Sequence, residues 1–448
     1  RVMALRHVPV RQLVAFAATM FASSCMNNIW VTYYVPFFMK VTRVSSSWFY
    51  ASQLVYMVWN CLNDPFFGWL SDTSHEASRR LPKIKWGGPA WALTFFAIWF
   101  PWSEAGGFIS GLQCMVALVA YDGFLTLVEL NHGALLADIT HSGAERARFN
   151  MACAIGAILG SLSSLPAAQT WNIADLSMFH VVTTVVAALS CVGFLLTASN
   201  VQEPAVSTKD SKEASDVGLQ EFFKQLMQQR NFVIFVIVNA VQVFECTFEK
   251  NFLSMFVGSL VGEGHWTTVT VSASFVIPHI GTIVLTPLIQ KIGLFQVVKG
   301  VLGFKLVLCV AFLTIGRTSS LAVALFAVSA RVLTESICRL SPLILADLVD
   351  EDRVRNKRRA NMGGMVIGYN NLLAKPGQSV APMLGWSLLG NLDTTGEESG
   401  RVLSLALVCL PLACIVVQMV LWSRYKLHGK ALHEVKRHVE SMDKEMHV

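Results

Sequence analysis

The chain has 448 residues, 54% hydrophobic and 14% charged, with a formal net charge of +6. A soluble domain carries about 25% charged residues, so this composition excludes an ordinary soluble fold and indicates an all-α polytopic membrane protein. The ten cysteines fall almost wholly in apolar runs without metal-ligand spacing, so no metal site and no cofactor are expected.

Arg1, Arg6 and Arg11 lead into an apolar run over 13–39. It is too long for a signal-peptide core and long enough to span a bilayer. The next run, 48–70, contains Asp64 within WNCLNDPFFGWLSD. A carboxylate at bilayer depth is costly and is a functional-site hypothesis by default. Asn60 lies one helical turn earlier, on the same face. Asp72 then opens a basic loop with Arg79 and Arg80.

Runs over 88–102 and 108–136 follow. The second carries Asp122 and Glu129, seven residues apart on nearly one face, with His132 a turn beyond as a cavity candidate. Hard monovalent cations need oxygen ligands, and a proton needs a carboxylate whose charged form burial disfavours. Asn60, Asp64 and Glu129 are therefore candidate cation ligands. The alternative is that these carboxylates satisfy helix ends or loop arginines. Asp122 stands between a salt-bridging and a structural role.

Runs over 149–168 and 177–197 complete a first set of six. Residues 198–230 are polar, with Glu203, Pro204, Lys209 and Asp210, and read as a flexible linker. A short surface helix is expected near its end, over 222–228. Six more runs follow: 231–258, 267–290, 295–316, 319–346, 361–389 and 401–423. The expected organisation is 1–197 and 231–424 as two six-helix bundles, 198–230 as linker and 425–448 as tail.

The seventh run holds Glu245, Glu249 and Lys250, either lining a cavity or near its extracellular mouth. Lys305 in the ninth either pairs with one of them or snorkels. The tenth holds Arg331, Glu335 and Arg339, spaced by four. Opposite charges at that spacing stabilise each other, so they form an internal ladder or contact substrate. Beyond it, Asp347 and Asp350 face Arg358 and Arg359 along ADLVDEDRVRNKRRANMGG. These mixed signs suit gate ion pairs on the cytoplasmic face, together with Asp72, Arg79 and Arg80; a solvated basic loop is the other reading.

The eleventh run carries Lys375 in LLAKPGQS. Pro376 and Gly377 break the helix, which is tolerated at membrane depth only against protein or a water-filled cavity. A lone lysine there calls for an acidic partner, for which Asp64 and Glu129 are the candidates. Two carboxylates and one ammonium leave one negative charge, which one bound sodium or proton neutralises. The basic tail after 424 is either an interfacial amphipathic helix or solvated. Lysine and arginine concentrate in the loops of one side, so both termini are expected in the cytoplasm.

WNCLNDPFFGWLSD, ERARFN, ADLVDED and LLAKPGQS, in that order, resemble the glycoside–pentoside–hexuronide:cation symporters of the major facilitator superfamily. The resemblance implies the major facilitator fold, with twelve transmembrane helices in two six-helix bundles around a midplane site. It implies that Asp64 and Glu129 are cation ligands and that Lys375 lies beside the cation site. Asn60 falls where sugar-carrying members have an aspartate. Ser23 and Ser24 stand where those members have a Lys–Asp pair, and Ala154 stands near an arginine position. The resemblance thus implies a retained cation apparatus and a largely absent sugar site.

The expected function is cation-coupled secondary transport of a small organic solute, with sodium or a proton as coupling ion. The alternatives are a transport-inactive receptor or scaffold, or a carrier of amphipathic lipid or lysolipid. No enzyme is expected, because no P-loop, nucleophile elbow or His-Glu-x-x-His pattern is present. The expected setting is a monomer in the plasma-membrane bilayer, with a small-molecule substrate and no nucleic acid.

Overall fold

The structure, a computed structural model, describes residues 9–73, 80–103, 106–139, 143–202, 219–262, 264–315, 319–358, 362–389 and 397–446. Regular structure among them is helical throughout. In chain order the helices are α1 (Val10–Pro36), α2 (Ser46–Thr73), α3 (Arg80–Ile98), α4 (Phe108–Ile139), α5 (Gly143–Ser161), α6 (Ser164–Thr170) and α7 (Ser177–Asn200). They continue with α8 (Leu219–Met227), α9 (Arg230–Val261), α10 (His265–Ile292), α11 (Leu294–Ile315) and α12 (Ser320–Arg355). The last are α13 (Gly363–Ala374), α14 (Pro376–Leu389), α15 (Glu397–Trp422) and α16 (Lys430–Met446).

Each expected run falls on one helix or on a helix pair. Eight stretches among the described residues are long and apolar enough to cross a membrane. The expected third run begins earlier than its apolar core, at Arg80, and its helix ends at Ile98 ahead of Pro101. The fifth breaks at Leu162 and Ser163 into α5 and α6. The eleventh breaks at Lys375 into α13 and α14. α1 runs on through a π-helical turn, Phe37–Val41, where Pro36 has removed a backbone donor.

The chain divides into two compact units. The first is Arg1–Val206 with Asn251–Met255 and Glu263–His279; the second is Ser207–Lys250, Phe256–Gly262 and Ile280–Val448.

In lipid, apolar side chains gain little by leaving the solvent, so helices associate through close packing of small residues. The first unit uses this at α1. Gly156 and Gly160 of α5, in the run GAILG, face the α1 backbone. A Cβ on Gly160 would lie 2.4 Å from the Phe21 carbonyl oxygen, and one on Gly156 would lie 2.7 Å from that of Ala17. Hydroxyls reinforce the contact: Thr19 donates to Thr197 at 2.8 Å and Ser163 to the Cys25 carbonyl at 3.0 Å. Trp30 of α1 stacks on Tyr34 and on Tyr121, with centroids 4.8 and 4.5 Å apart. α7 turns Val181, Val185, Leu189 and Val192 outward. That exposed apolar stripe would be a liability in water and is ordinary against lipid.

The second unit has its own core, in which Phe222 and Leu226 of α8 join Phe235, Leu302, Leu348 and Trp422. Leu432 and Val435 of α16 pack against the same core. The tail is therefore a docked amphipathic helix, and Lys436 on it lies 3.0 Å from Asp347 of α12.

Candidate functional site

Each unit holds a polar cluster at membrane depth. In the first, the α2 face carries Tyr56, Asn60 and Asn63, and the α4 face carries Asp122, Thr126 and Glu129. Asp122 is buried. It accepts hydrogen bonds from the Asn63 amide and from the Tyr56 hydroxyl, the latter at 3.3 Å. Asn60 donates to the Tyr56 oxygen at 3.3 Å, and Asn63 also donates to Thr126 at 3.2 Å. Asn63 Oδ1 is buried with no hydrogen-bond donor among the described residues. Glu129 is exposed and accepts from the Ser23 hydroxyl of α1. His132 is buried: its ring stacks on Phe16 at 4.0 Å, and its Nε2 lies 2.9 Å from the Phe16 carbonyl oxygen.

Asp64 lies on α2, one turn beyond Asn60, and Asp72 lies near the end of that helix. The side chains of both fall outside the described residues, as do Arg79 and Arg359 altogether.

Sequence reading passed over Asn63. It sits between two residues that drew attention for their chemistry, and its neutral amide carried no cost signal. The signal available was position: Tyr56, Asn60 and Asn63 recur at helical spacing on one face.

In the second unit, α9, α11 and α12 share a buried ion network. Lys305 lies 2.7 Å from Glu245 and 3.5 Å from Glu249. Arg331 lies 3.5 Å from Glu249 and 3.4 Å from Glu335. Glu335 also meets Lys250 at 3.0 Å and Arg339 at 3.6 Å, and accepts from the Cys246 thiol at 3.2 Å. Thr334 links the helices by donating to Glu249 at 2.9 Å and accepting from Lys305. The i,i+4 spacing that suggested a ladder inside α12 is thus one edge of a three-helix network.

Lys375 is half-buried at the joint of α13 and α14. Its N–H keeps the helical bond to Asn371 at 2.9 Å, so the axis is interrupted only where Pro376 has no donor. Gly377 is required there by proximity: a Cβ would stand 3.0 Å from the Ala240 carbonyl and the Phe244 amide of α9. The break is packed against protein, as an interruption at membrane depth must be.

Of the remaining charged candidates, Arg80 opens α3, Asp350 is half-buried on α12 and Asp347 pairs with Lys436. Arg358 binds Asp352 at 2.6 Å, donates to Gln225 of α8 at 2.7 Å and lies over the Phe222 ring at 4.4 Å. Among the described residues no group of histidine, cysteine and carboxylate side chains could hold a metal ion.

An all-helical polytopic chain with lipid-facing stripes and two units, each holding buried charge at membrane depth, is built as a carrier of the major facilitator fold. The chain belongs to the family described as MFS/sugar transport protein, whose model matches residues 15–429. It is similar to transmembrane protein 180 of Mus musculus, with 32% identity over 492 aligned positions covering 94% of each chain. It is also similar to transmembrane protein 180 of Gallus gallus, with 31% identity covering 96% of this chain and 95% of that one. Among solved structures it resembles a bacterial homolog to the human lysosomal transporter Spinster, with a TM-score of 0.68 and 12% identity, covering 95% of this chain and 98% of that one. It also resembles the nucleoside transporter NupG, with a TM-score of 0.64 and 14% identity, covering 93% and 99%. These two likenesses define the fold and nothing finer. Family and fold are those of transporters in a lipid bilayer rather than of enzymes.

Proposed function

We propose that the protein is a cation-coupled secondary transporter that moves a small organic solute by alternating access, as a monomer in the plasma membrane. In this reading Asp64, Glu129 and Asn60 hold sodium or a proton, and Lys375 is the coupling charge. Asp122 and Asn63 extend the same oxygen-rich face.

The observation that supports it is the Asp122 site. A buried carboxylate receives hydrogen bonds from the Asn63 amide and the Tyr56 hydroxyl. Beside it, Asn63 Oδ1 is buried with no donor among the described residues. Buried acceptors seek partners, and an amide oxygen in a cluster that also holds a carboxylate suits a hard monovalent cation. Asn60, Ser23 and Ala154 stand where sugar carriers have charged residues, so the solute is not a sugar in this reading.

The test uses the protein in liposomes and measures how far sodium or protons protect Lys375 from amine modification. Protection is expected in the wild type and lost in Asp64→Asn, Glu129→Gln and Asp122→Asn. A wild type indifferent to both cations over a wide range would overturn cation coupling.

An amphipathic lipid as solute has one observation in its favour. A groove of about 360 Å³ in the second unit is lined by Ala240, Val241, Phe244, Ala413, Cys414 and Val417. Lysolipids, and not polar solutes, would then raise the unfolding temperature by mass action.

A further inference from the structure

We infer that Glu245 is a proton-binding site in the second unit, and that Lys305 turns from Glu245 to Glu249 when the proton arrives. The inference rests on the transporter reading for its coupling; the proton site itself rests on the contacts of three side chains.

Glu245 is 0% exposed, and its Oε1 lies 2.7 Å from the Lys305 ammonium. Its Oε2 is buried and accepts no hydrogen bond among the described residues. The contacts of Glu245, Glu249 and Lys305 all fall within the described residues. An ionised carboxylate can only accept, and an oxygen kept dry without a donor bears the full cost of its lost hydration. A proton on Oε2 removes the charge and turns that oxygen into a donor.

Glu249 is held differently. Its Oε1 accepts from the Thr334 hydroxyl at 2.9 Å and lies 3.5 Å from Lys305, and its Oε2 lies 3.5 Å from Arg331. Of the two carboxylates Glu245 has the fewer partners, so the proton goes there. Lys305 stands within reach of both. It pairs with Glu245 while that side chain is ionised and keeps Glu249 once Glu245 is neutral. An ammonium stranded at membrane depth is costly, and a lysine set between two carboxylates escapes that cost in either state. The titratable groups that act on Glu245 are Cys246 and Glu249 of α9, Lys305 and Cys309 of α11 and Cys414 of α15. Arg331 of α12 acts through Glu249. Glu245 and Lys305 are 0% and 1% exposed, so the proton exchanges with water when the protein changes conformation. That dependence ties its loading to the alternating-access step.

The experiment records infrared difference spectra of the full-length protein in liposomes as pH is stepped, in H2O and in D2O to identify carboxylic-acid bands. A band that grows as pH falls is expected in the wild type, displaced in Glu245→Asp and absent in Glu245→Gln. Glu249→Gln dedicates Lys305 to Glu245, so the midpoint of the band is expected to fall by about one pH unit or more, a tenfold weakening of proton binding. If Glu245→Gln does not fold, Glu245→Asp and Glu249→Gln carry the test. A wild type without a titrating band, or a band unmoved in both of those variants, overturns the inference. Uptake into proteoliposomes under a pH gradient separates the two readings. A Glu245 band without uptake of any solute leaves the proton site standing and removes the transporter. Proton-driven uptake undiminished in Glu245→Gln leaves the transporter standing and overturns the coupling role of Glu245.

Discussion

Lys305 on α11 lies 2.7 Å from Glu245 on α9, with the two side chains 1% and 0% exposed. The same ammonium lies 3.5 Å from Glu249. It is the partner of Glu245 and shares Glu249 with Arg331, which also lies 3.5 Å from that carboxylate. Removing one partner of a buried pair costs far more than the pair contributes, because the remaining charge stays buried. Lys305→Met is expected to destabilise the protein by about 3–5 kcal/mol, and Lys305→Met with Glu245→Met is expected to recover much of that. Unfolding in mixed micelles measures both; a neutral single variant would mean water reaches the pair.

Gly160 has a sharper constraint. A Cβ there meets the Phe21 carbonyl at 2.4 Å, and a backbone atom cannot step aside as a side chain can. Gly160→Ala should cost roughly 1–3 kcal/mol through overpacking. Gly133→Ala, where nothing lies within 4 Å, is the control and should be neutral or slightly stabilising. Thermal unfolding that ranks the two the other way would refute the close α1–α5 approach.

Asn63→Ala takes one donor from the buried Asp122 carboxylate, at a cost of about 1–3 kcal/mol. Asp122→Asn should offset part of this, since the charge that needed the donor is gone. A double-mutant cycle on Asn63 and Asp122 is expected to give a coupling of about 0.5–3 kcal/mol. Strict additivity would show that the two side chains do not act together.

Arg358 joins Asp352 and Gln225, so it ties α8 to the end of α12. Arg358→Gln should loosen α8 while leaving the spans folded. Amide exchange over Leu219–Met227 is expected to speed up by about tenfold, with exchange in α9 unchanged. Unchanged exchange in α8 would leave its docking to Phe222 and Leu226 alone.

Asp175 lies between α6 and α7, and its carboxylate accepts the Ser177 backbone N–H at 2.9 Å. That bond, first among its causes, holds the carboxyl below its ordinary value of 3.8. A depressed carboxyl contributes stability above its unfolded pKa and loses it as pH falls through the lower folded value. Titration followed at the Ser177 amide should therefore have its midpoint below 3.8, and Asp175→Asn should abolish the transition. A midpoint at or above the ordinary value would remove the bond from the account.

The helices were legible because a span leaves a signature about 20 residues long. α9 and α12 can be read from that alone. α3 was harder, because Arg80, Lys83 and Lys85 precede its apolar part. The charged candidates were legible as costs: a buried ion at membrane depth stands out whatever it touches. Their partners were not. Sequence left Lys305 between pairing and snorkelling, and only the meeting of α9, α11 and α12 decides it. GAILG carries a packing motif in plain letters, but its partner is two carbonyls of α1, which no side-chain pattern records. The tail stood between an interfacial helix and a solvated one, because Leu427, Leu432, Val435 and Val439 recur at helical spacing without naming what they meet. Neither reading named the surface that Leu432 and Val435 meet, which is the Phe222–Trp422 core.

α12 spans 36 residues, about 54 Å at helical rise, against a hydrocarbon slab of about 30 Å. It is longer than the membrane is thick. Its middle is held by the ion network. Its Asp347–Arg355 end carries α16 through Lys436 and is joined to the α8–α9 connection by Gln229, which donates to Asp352 at 2.7 Å. A helix moored at two heights cannot slide along the bilayer normal. It moves with its unit, so a change in lipid thickness would be met by tilt of the second unit as a body or by the bilayer deforming around it.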